Sequence, residues 1–101
     1  MSYGLKEDVI QKICAVFADH GNVREAVLYG SRAKGNYKPG SDIDIVLKGE
    51  ELNLDTLNSI RLQLDDLLLP YMMDVSLYSH IDNAALLDHI ARVGMTLYQR
   101  D

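Results

Sequence analysis

Residues 42–47 read Asp42-Ile43-Asp44-Ile45-Val46-Leu47, which is the most informative stretch of the sequence. Side chains alternate along a β-strand, so Asp42 and Asp44 point to one face while the isoleucines point to the other. Two neighbouring carboxylates repel each other by roughly 1 kcal/mol at 4 Å in water, and by more near a protein surface. A bound divalent cation turns this repulsion into attraction, and oxygen ligands suit magnesium. The stretch therefore predicts a buried strand with a magnesium site on its polar face. The alternative is an edge strand whose polar face meets water.

A second motif, Gly30-Ser31-Arg32-Ala33-Lys34-Gly35, follows the apolar residues Ala26-Val27-Leu28-Tyr29. A glycine at the end of a strand lets the backbone approach a phosphate, and Ser31 adds a hydroxyl beside exposed backbone N–H groups. The plain alternative is a strand-exit turn with a polar cap. A Walker A loop is excluded, because Asn36-Tyr37 stands where that motif requires Lys followed by Ser or Thr.

A third acid, Asp74, lies within the apolar segment Tyr71-Met72-Met73-Asp74-Val75-Ser76-Leu77-Tyr78. A single carboxylate in such a strand needs a partner or a function. If this strand is the neighbour of the strand at 42–47, Asp42, Asp44 and Asp74 converge on one face. Three acids beside a phosphate loop form the constellation used in two-metal phosphoryl or nucleotidyl transfer.

The apolar periodicity along the rest of the chain predicts alternating helices and strands. Helices are expected near residues 5–20, from Asn53 or Asp55 as far as Pro70, and at 83–93; strands are expected at 23–29, 42–47 and 72–78, with a connection at 31–41 and a short tail at 95–98. This order predicts an α/β fold (α+β, with a mixed sheet) in which a three-stranded core is flanked by helices. With 101 residues, we expect residues 1–101 to form one domain.

Composition argues against several classes of protein. The net charge of −5 disfavours direct nucleic-acid binding, because phosphate backbones require a basic surface. Cys14 is the single cysteine, so no disulfide can form within the chain. No apolar run reaches 18 residues and no signal-peptide core is present, so we expect a cytoplasmic protein without a membrane partner. His20, His80 and His89 lie in separate segments without ligand spacing, which favours helix-end and surface roles.

The motifs in combination resemble the DNA polymerase β-type nucleotidyltransferase superfamily. The resemblance rests on Gly30-Ser31, ten intervening residues, Asp42-Ile43-Asp44 and the later strand acid Asp74. More narrowly, Gly-Ser-Arg-Ala-Lys-Gly followed by Gly-Ser-Asp-Ile-Asp-Ile is similar to the minimal nucleotidyltransferases (MNT domains) of prokaryotes. These are commonly encoded beside a HEPN-domain partner as a toxin–antitoxin pair. The resemblance spans nearly the whole chain and implies a nucleotidyltransferase domain that uses two Mg²⁺ ions and a nucleoside triphosphate.

The same resemblance implies roles in nucleotide binding. Gly30 and Ser31 would hold the triphosphate. Arg32 would neutralise phosphate charge, with Lys34 or Lys38 as weaker candidates. Together they would form a local anion site on an acidic protein.

It also implies roles for the three acids. Asp42 and Asp44 would ligate both metal ions. Asp74 would ligate the catalytic metal and help to activate the acceptor hydroxyl. Larger members carry a further domain for the acceptor or the base, and none is visible after the last helix of this sequence.

The leading hypothesis is therefore a Mg²⁺-dependent enzyme that moves NMP, most simply AMP from ATP, onto an acceptor hydroxyl. The resemblance suggests a tyrosine of a HEPN-type toxin partner, which the modification would silence, and a homo- or hetero-oligomer fits this function. Two alternatives stay open. One is transfer to a small aminoglycoside-like alcohol, and the other is a non-catalytic antitoxin that neutralises its partner by contact.

Overall fold

A four-stranded mixed sheet forms the centre of the computed structural model, which describes residues 3–100. Its strands are β1 (Glu25–Tyr29), β2 (Ile43–Lys48), β3 (Met73–Leu77) and β4 (Met95–Gln99), in the spatial order β3-β2-β1-β4. Strand β1, one of the two inner strands, is antiparallel to both β2 and β4. Strand β2 is parallel to β3, and α3 provides the crossover that a parallel pair requires.

The helices cover the two faces of the sheet unequally. They are α1 (Glu7–Ala18), α2 (Ser31–Lys34), α3 (Leu54–Asp66) and α4 (Ala84–Val93), with a single 3-10 turn at Tyr78–His80. Asn53 caps α3 by accepting the Thr56 N–H at 2.9 Å, which decides between the two predicted capping residues. Within residues 3–100, no helix combines the length and apolarity needed to cross a membrane.

The larger core lies between one sheet face and the helices α1 and α3. Its buried members from the sheet alternate along each strand, as expected for a strand that is covered on this side. They are Ala26 and Leu28 of β1, Ile43, Ile45 and Leu47 of β2, and Val75 and Leu77 of β3. The opposite face is covered by α4, whose Ile90 packs in a smaller buried cluster with Val27, Tyr29 and Val46.

The predicted mixed α/β class and the flanking helices are confirmed, and β2 and β3 are neighbours as the convergence of the acids required. The sheet, however, has one strand more than the three that were predicted. Met95–Gln99, expected to be a tail, pairs with β1 as β4. A short helix, α2, also lies within the predicted connection at 31–41.

The topology brings the ends of three strands together at one end of the sheet, and we call this end the sheet edge. Because β1 is antiparallel to the other two, its last residue lies beside their first residues. Tyr29 is opposite Asp44 in the β1–β2 register, and Asp44 is opposite Asp74 in the β2–β3 register. The motif residues that follow Tyr29 therefore emerge beside the acids.

We expect the apolar stripe of α3 to be a main source of stability. Ile60 is completely buried and Leu62, two residues later, is 66% exposed. Ile60→Ala should lower the free energy of unfolding by about 2–5 kcal/mol through lost burial and a cavity. The matched change Leu62→Ala should stay within about 0.5 kcal/mol of the parent. Urea unfolding measures both, and equal losses would mean that α3 is not packed as described.

Candidate active site

The register between β2 and β3 places two of the three predicted acids side by side. Asp44 and Asp74 are partners in the parallel ladder, so their side chains share the face of the sheet that α4 partly covers. Asp42 precedes the first residue of β2 and is exposed, as is Asp74, whereas Asp44 is partly buried. All three therefore lie at the same edge of the sheet.

The electrostatics show that these carboxylates interact. The pKa of Asp44 is raised, first by burial and then by the negative charges of Asp74 and Asp42. Burial also raises the pKa of the Tyr29 phenol; a hydrogen bond with Ser76 counters this and the two strand acids add to it. Asp44 is thus a partly buried carboxylate whose charge is opposed by its surroundings.

The chemistry of the donors fits a divalent cation, although the ligands are not assembled. Among residues 3–100, no three His, Cys, Asp or Glu side chains stand close enough together to hold a metal as they are placed. Magnesium usually keeps several waters and takes one or two carboxylates plus substrate phosphates, rather than a closed protein cage. Neighbouring carboxylates in register on β2 and β3, with Asp42 beside them, match that requirement.

Gly30 forms a close contact with this group. Its φ of +76° is a backbone conformation that side chains rarely adopt, and a Cβ at this position would collide with the Asp44 carboxylate. Ser31 follows as the first residue of α2 and is partly buried. The structure thus brings the predicted phosphate motif directly against one of the predicted metal ligands. We call residues 30 and 31 the Gly30–Ser31 turn.

His89 is a site residue that sequence reasoning missed. Its Nε2 accepts the Gly30 N–H at 3.0 Å, and its ring packs edge-on against Tyr29 with centroids 6.2 Å apart. The sequence favoured a surface or helix-end role for this histidine. One signal was present: His89 lies three residues after Leu86 and four before Val93, which is the spacing of the inward stripe of α4.

Arg32 does not have the position that was predicted for it. The side chain is 1% exposed, so it does not present its charge to a phosphate. It donates to the backbone carbonyls of Tyr3 (2.8 Å), Pro39 (3.3 Å) and Ser41 (2.8 and 3.1 Å). Its guanidinium also lies over the Tyr37 and Tyr71 rings, at 5.4 and 5.0 Å from their centroids. Arg32 therefore holds the backbone that leads into Asp42.

One cleft lies at the opposite end of the strands. It has a volume of about 660 Å³, and its lining includes Asn22, Arg24, Lys48 and Tyr78. None of the predicted site residues lines this cleft. Asp42 and Asp74 are exposed, whereas Asp44, Gly30 and Ser31 are partly buried.

Comparison with known proteins identifies the family. The family model for polymerase beta nucleotidyltransferases matches residues 11–101. The chain belongs to this nucleotidyltransferase family. Its members use a divalent metal, in agreement with the acids at the sheet edge. No curated protein sequence matches the chain.

Several solved structures share the fold. A toxin–antitoxin in complex with AMP-PNP aligns with a TM-score of 0.72 at 20% identity, over 91% of this chain and 74% of that one. The complex of a tri-AMPylated HEPN toxin with MNT antitoxin from Shewanella oneidensis aligns at 0.70 and 17%, over 95% and 74%. A putative nucleotidyltransferase from Sulfolobus solfataricus aligns at 0.53 and 19%, over 99% and 90%.

We predict that Arg32 acts on stability. Arg32→Ala removes a buried cation and leaves backbone carbonyls without donors, so the free energy of unfolding should fall by about 3 kcal/mol or more. Arg32→Lys should restore only part of the lost free energy of unfolding, because an ammonium group cannot reproduce the planar arrangement of N–H donors of the guanidinium. Lys34→Ala, an exposed change on the same helix, should have little effect. A stable Arg32→Ala protein that had lost only nucleotide affinity would instead support the phosphate role.

We predict that Asp44 destabilises the metal-free protein at neutral pH. Its pKa is raised in the folded state, so folded protein binds more protons and stability falls as pH rises from the unfolded value, about 3.9, through the folded one. Asp44→Asn should therefore raise Tm at pH 7 in chelator, and the gain should disappear below about pH 3.9. The exposed control Asp88→Asn should give no gain. A lower Tm for Asp44→Asn at pH 7 would contradict this account.

Proposed function

We propose that this chain transfers AMP from ATP to an acceptor hydroxyl, with release of pyrophosphate and of the hydroxyl proton, using Asp42, Asp44 and Asp74 as metal ligands. The observation that carries the proposal is the β2–β3 register, which pairs Asp44 with Asp74 beside the Gly30–Ser31 turn in a member of the nucleotidyltransferase family. Two magnesium ions bound at these carboxylates would supply charge stabilisation at the attacking and leaving oxygens. The role of the carboxylates would be to hold the positive charge of the ions close to the reacting phosphate.

The turn supplies the nucleotide contacts in this proposal. The Ser31 hydroxyl donates to a phosphate oxygen, and the absence of a side chain on Gly30 lets the backbone approach both the phosphate and Asp44. Arg32 is too buried for direct contact. Lys34 and Lys38, both exposed on the same segment, are the cations that balance the remaining phosphate charge.

The acceptor is best supplied by a second protein. Asp42 and Asp74 are exposed, so a hydroxyl can approach the site from outside the chain. Such an acceptor must be held about 3–3.5 Å from the α-phosphorus, which exposed carboxylates do not enforce by themselves. The related structures include a HEPN toxin that is AMPylated three times and bound to an MNT antitoxin. We therefore propose a tyrosine of a HEPN-type toxin as the acceptor, which gives this chain an antitoxin role.

Mass spectrometry of a HEPN-type partner, after incubation with this chain and MgATP, tests the proposal. We expect AMP adducts on tyrosine with the parent protein. The double change Asp42→Asn with Asp44→Asn should reduce transfer at least a hundredfold, because the metal and nucleotide lose their ligands. Asp88→Asn, an exposed change on α4, is the matched control and should transfer at the parental rate.

The other outcomes identify the competing functions. If the double variant neutralises the toxin as well as the parent, inhibition works by contact and the transferase proposal is wrong. If the isolated chain modifies a small aminoglycoside-like alcohol at enzymatic rates without a partner, the protein acceptor is wrong. A melting scan with MgATP should also show a positive shift for the parent and none for the double variant.

A further inference from the structure

One hydrogen bond connects α4 to the Gly30–Ser31 turn. The Gly30 N–H donates to His89 Nε2 at 3.0 Å, across 59 residues of sequence. A backbone N–H can only donate, so Nε2 is the acceptor and the ring proton lies on Nδ1. The apolar contact between α4 and the sheet is made by Ile90, which packs with Val27, Tyr29 and Val46. His89 adds a directional contact at the edge where the acids lie.

Gly30 is the residue of this turn that most needs an external restraint. Its φ of +76° and ψ of −155° belong to a region that glycine enters readily and other residues avoid. The same freedom allows the glycine backbone to leave this conformation. Its Cα lies against the Asp44 carboxylate, and Ser31 continues from it into α2. A rotation at Gly30 would therefore move Ser31 relative to Asp44.

We propose that His89 is a positioning residue for nucleotide transfer. By accepting the Gly30 N–H, it holds the turn in the conformation that presents Ser31 and Asp44 to the same triphosphate. The ring of His89 also packs edge-on against Tyr29 at an interplanar angle of 80°, which is a second contact that restrains its orientation. This inference rests on the proposed function, because it assigns His89 to the nucleotide site described above.

A different role for the same contact leads to the opposite expectation. If His89 only occupied an amide that the phosphate needs, its removal would release that amide and strengthen nucleotide binding. If His89 positions the turn, its removal weakens binding. The sign of the change in affinity therefore distinguishes the two roles.

The test compares three substitutions at His89 with one at His80. His89→Ala removes the acceptor. His89→Gln places an amide oxygen at about the reach of Nε2, and His89→Asn places one that is a CH₂ group shorter. His80→Ala removes a histidine at the other edge of the sheet, where the 3-10 turn lies. Calorimetry with Mg²⁺ and a non-hydrolysable ATP analogue gives the affinities, and NMR gives the hydrogen bond.

We expect the dissociation constant to rise three- to tenfold for His89→Ala and His89→Asn, the range set by loss of one hydrogen bond. The dissociation constant of His89→Gln should lie within about twofold of the parent value, and that of His80→Ala should equal the parent value. In the parent without nucleotide, NMR should show ¹⁵N–¹⁵N coupling across the Gly30–His89 hydrogen bond. Gly30 amide exchange should accelerate in the Ala and Asn variants and slow again in the Gln variant.

Each contrary outcome has a separate meaning. Unchanged or tighter binding by both the Ala and Asn variants overturns the positioning role. Absence of the trans-hydrogen-bond coupling overturns the contact itself. If the parent binds no nucleotide, the proposed function has failed and the inference fails with it, even when the coupling is observed. If His89→Ala does not fold, the Asn and Gln pair carries the same comparison.

Discussion

The structure depends on the parallel pairing of β2 with β3, which joins a favourable contact on one face to an unfavourable one on the other. In one register, Ile45 lies beside Val75 in the core and Asp44 lies beside Asp74 at the sheet edge. Burial of an aliphatic side chain contributes about 1.5–3 kcal/mol, and the pairing buries several. The repulsion between two partly solvated carboxylates is smaller. A slip of β3 by one residue would turn Val75 and Leu77 out of the core and Asp74 into it, so apolar packing enforces the juxtaposition of Asp74 with Asp44.

Sequence periodicity predicted this arrangement because strand alternation is local. The identity of β2 and β3, and the shared face of Asp42 and Asp44, follow from a period of two in short stretches of chain. The shared face with Asp74 depended on the further expectation that these two strands are neighbours, which the register bears out. Strand β4 could not be found in this way. It is a five-residue edge strand with Met95 and Thr96 exposed, and it pairs with β1 through an irregular register near Ala26 and Val27. Pairing between residues about 70 positions apart leaves no local pattern.

The two side chains that sequence reasoning placed differently illustrate a further limit. Arg32 stands in a basic, glycine-bounded motif, which favours a phosphate contact, but its surroundings come from Tyr3, the loop at 37–41 and Tyr71. His89 is similar, since its partner Gly30 is distant in sequence. Residue type indicates what a side chain can do, whereas burial and distant partners decide which of those roles it has.

These two contacts also differ in strength, and the difference has a consequence for the site. Arg32 is charged, buried and bonded to several carbonyls, and hydrogen bonds to charged groups contribute about 1.5–3 kcal/mol each. The neutral bond between His89 and Gly30 contributes about 0.5–1.5 kcal/mol. The backbone that leads through Ser41 to Asp42 is therefore held more firmly than the Gly30–Ser31 turn. Under the proposed function, adjustment on nucleotide binding would cost less at the turn than at Asp42, and the His89 bond is the contact that limits how far the turn moves.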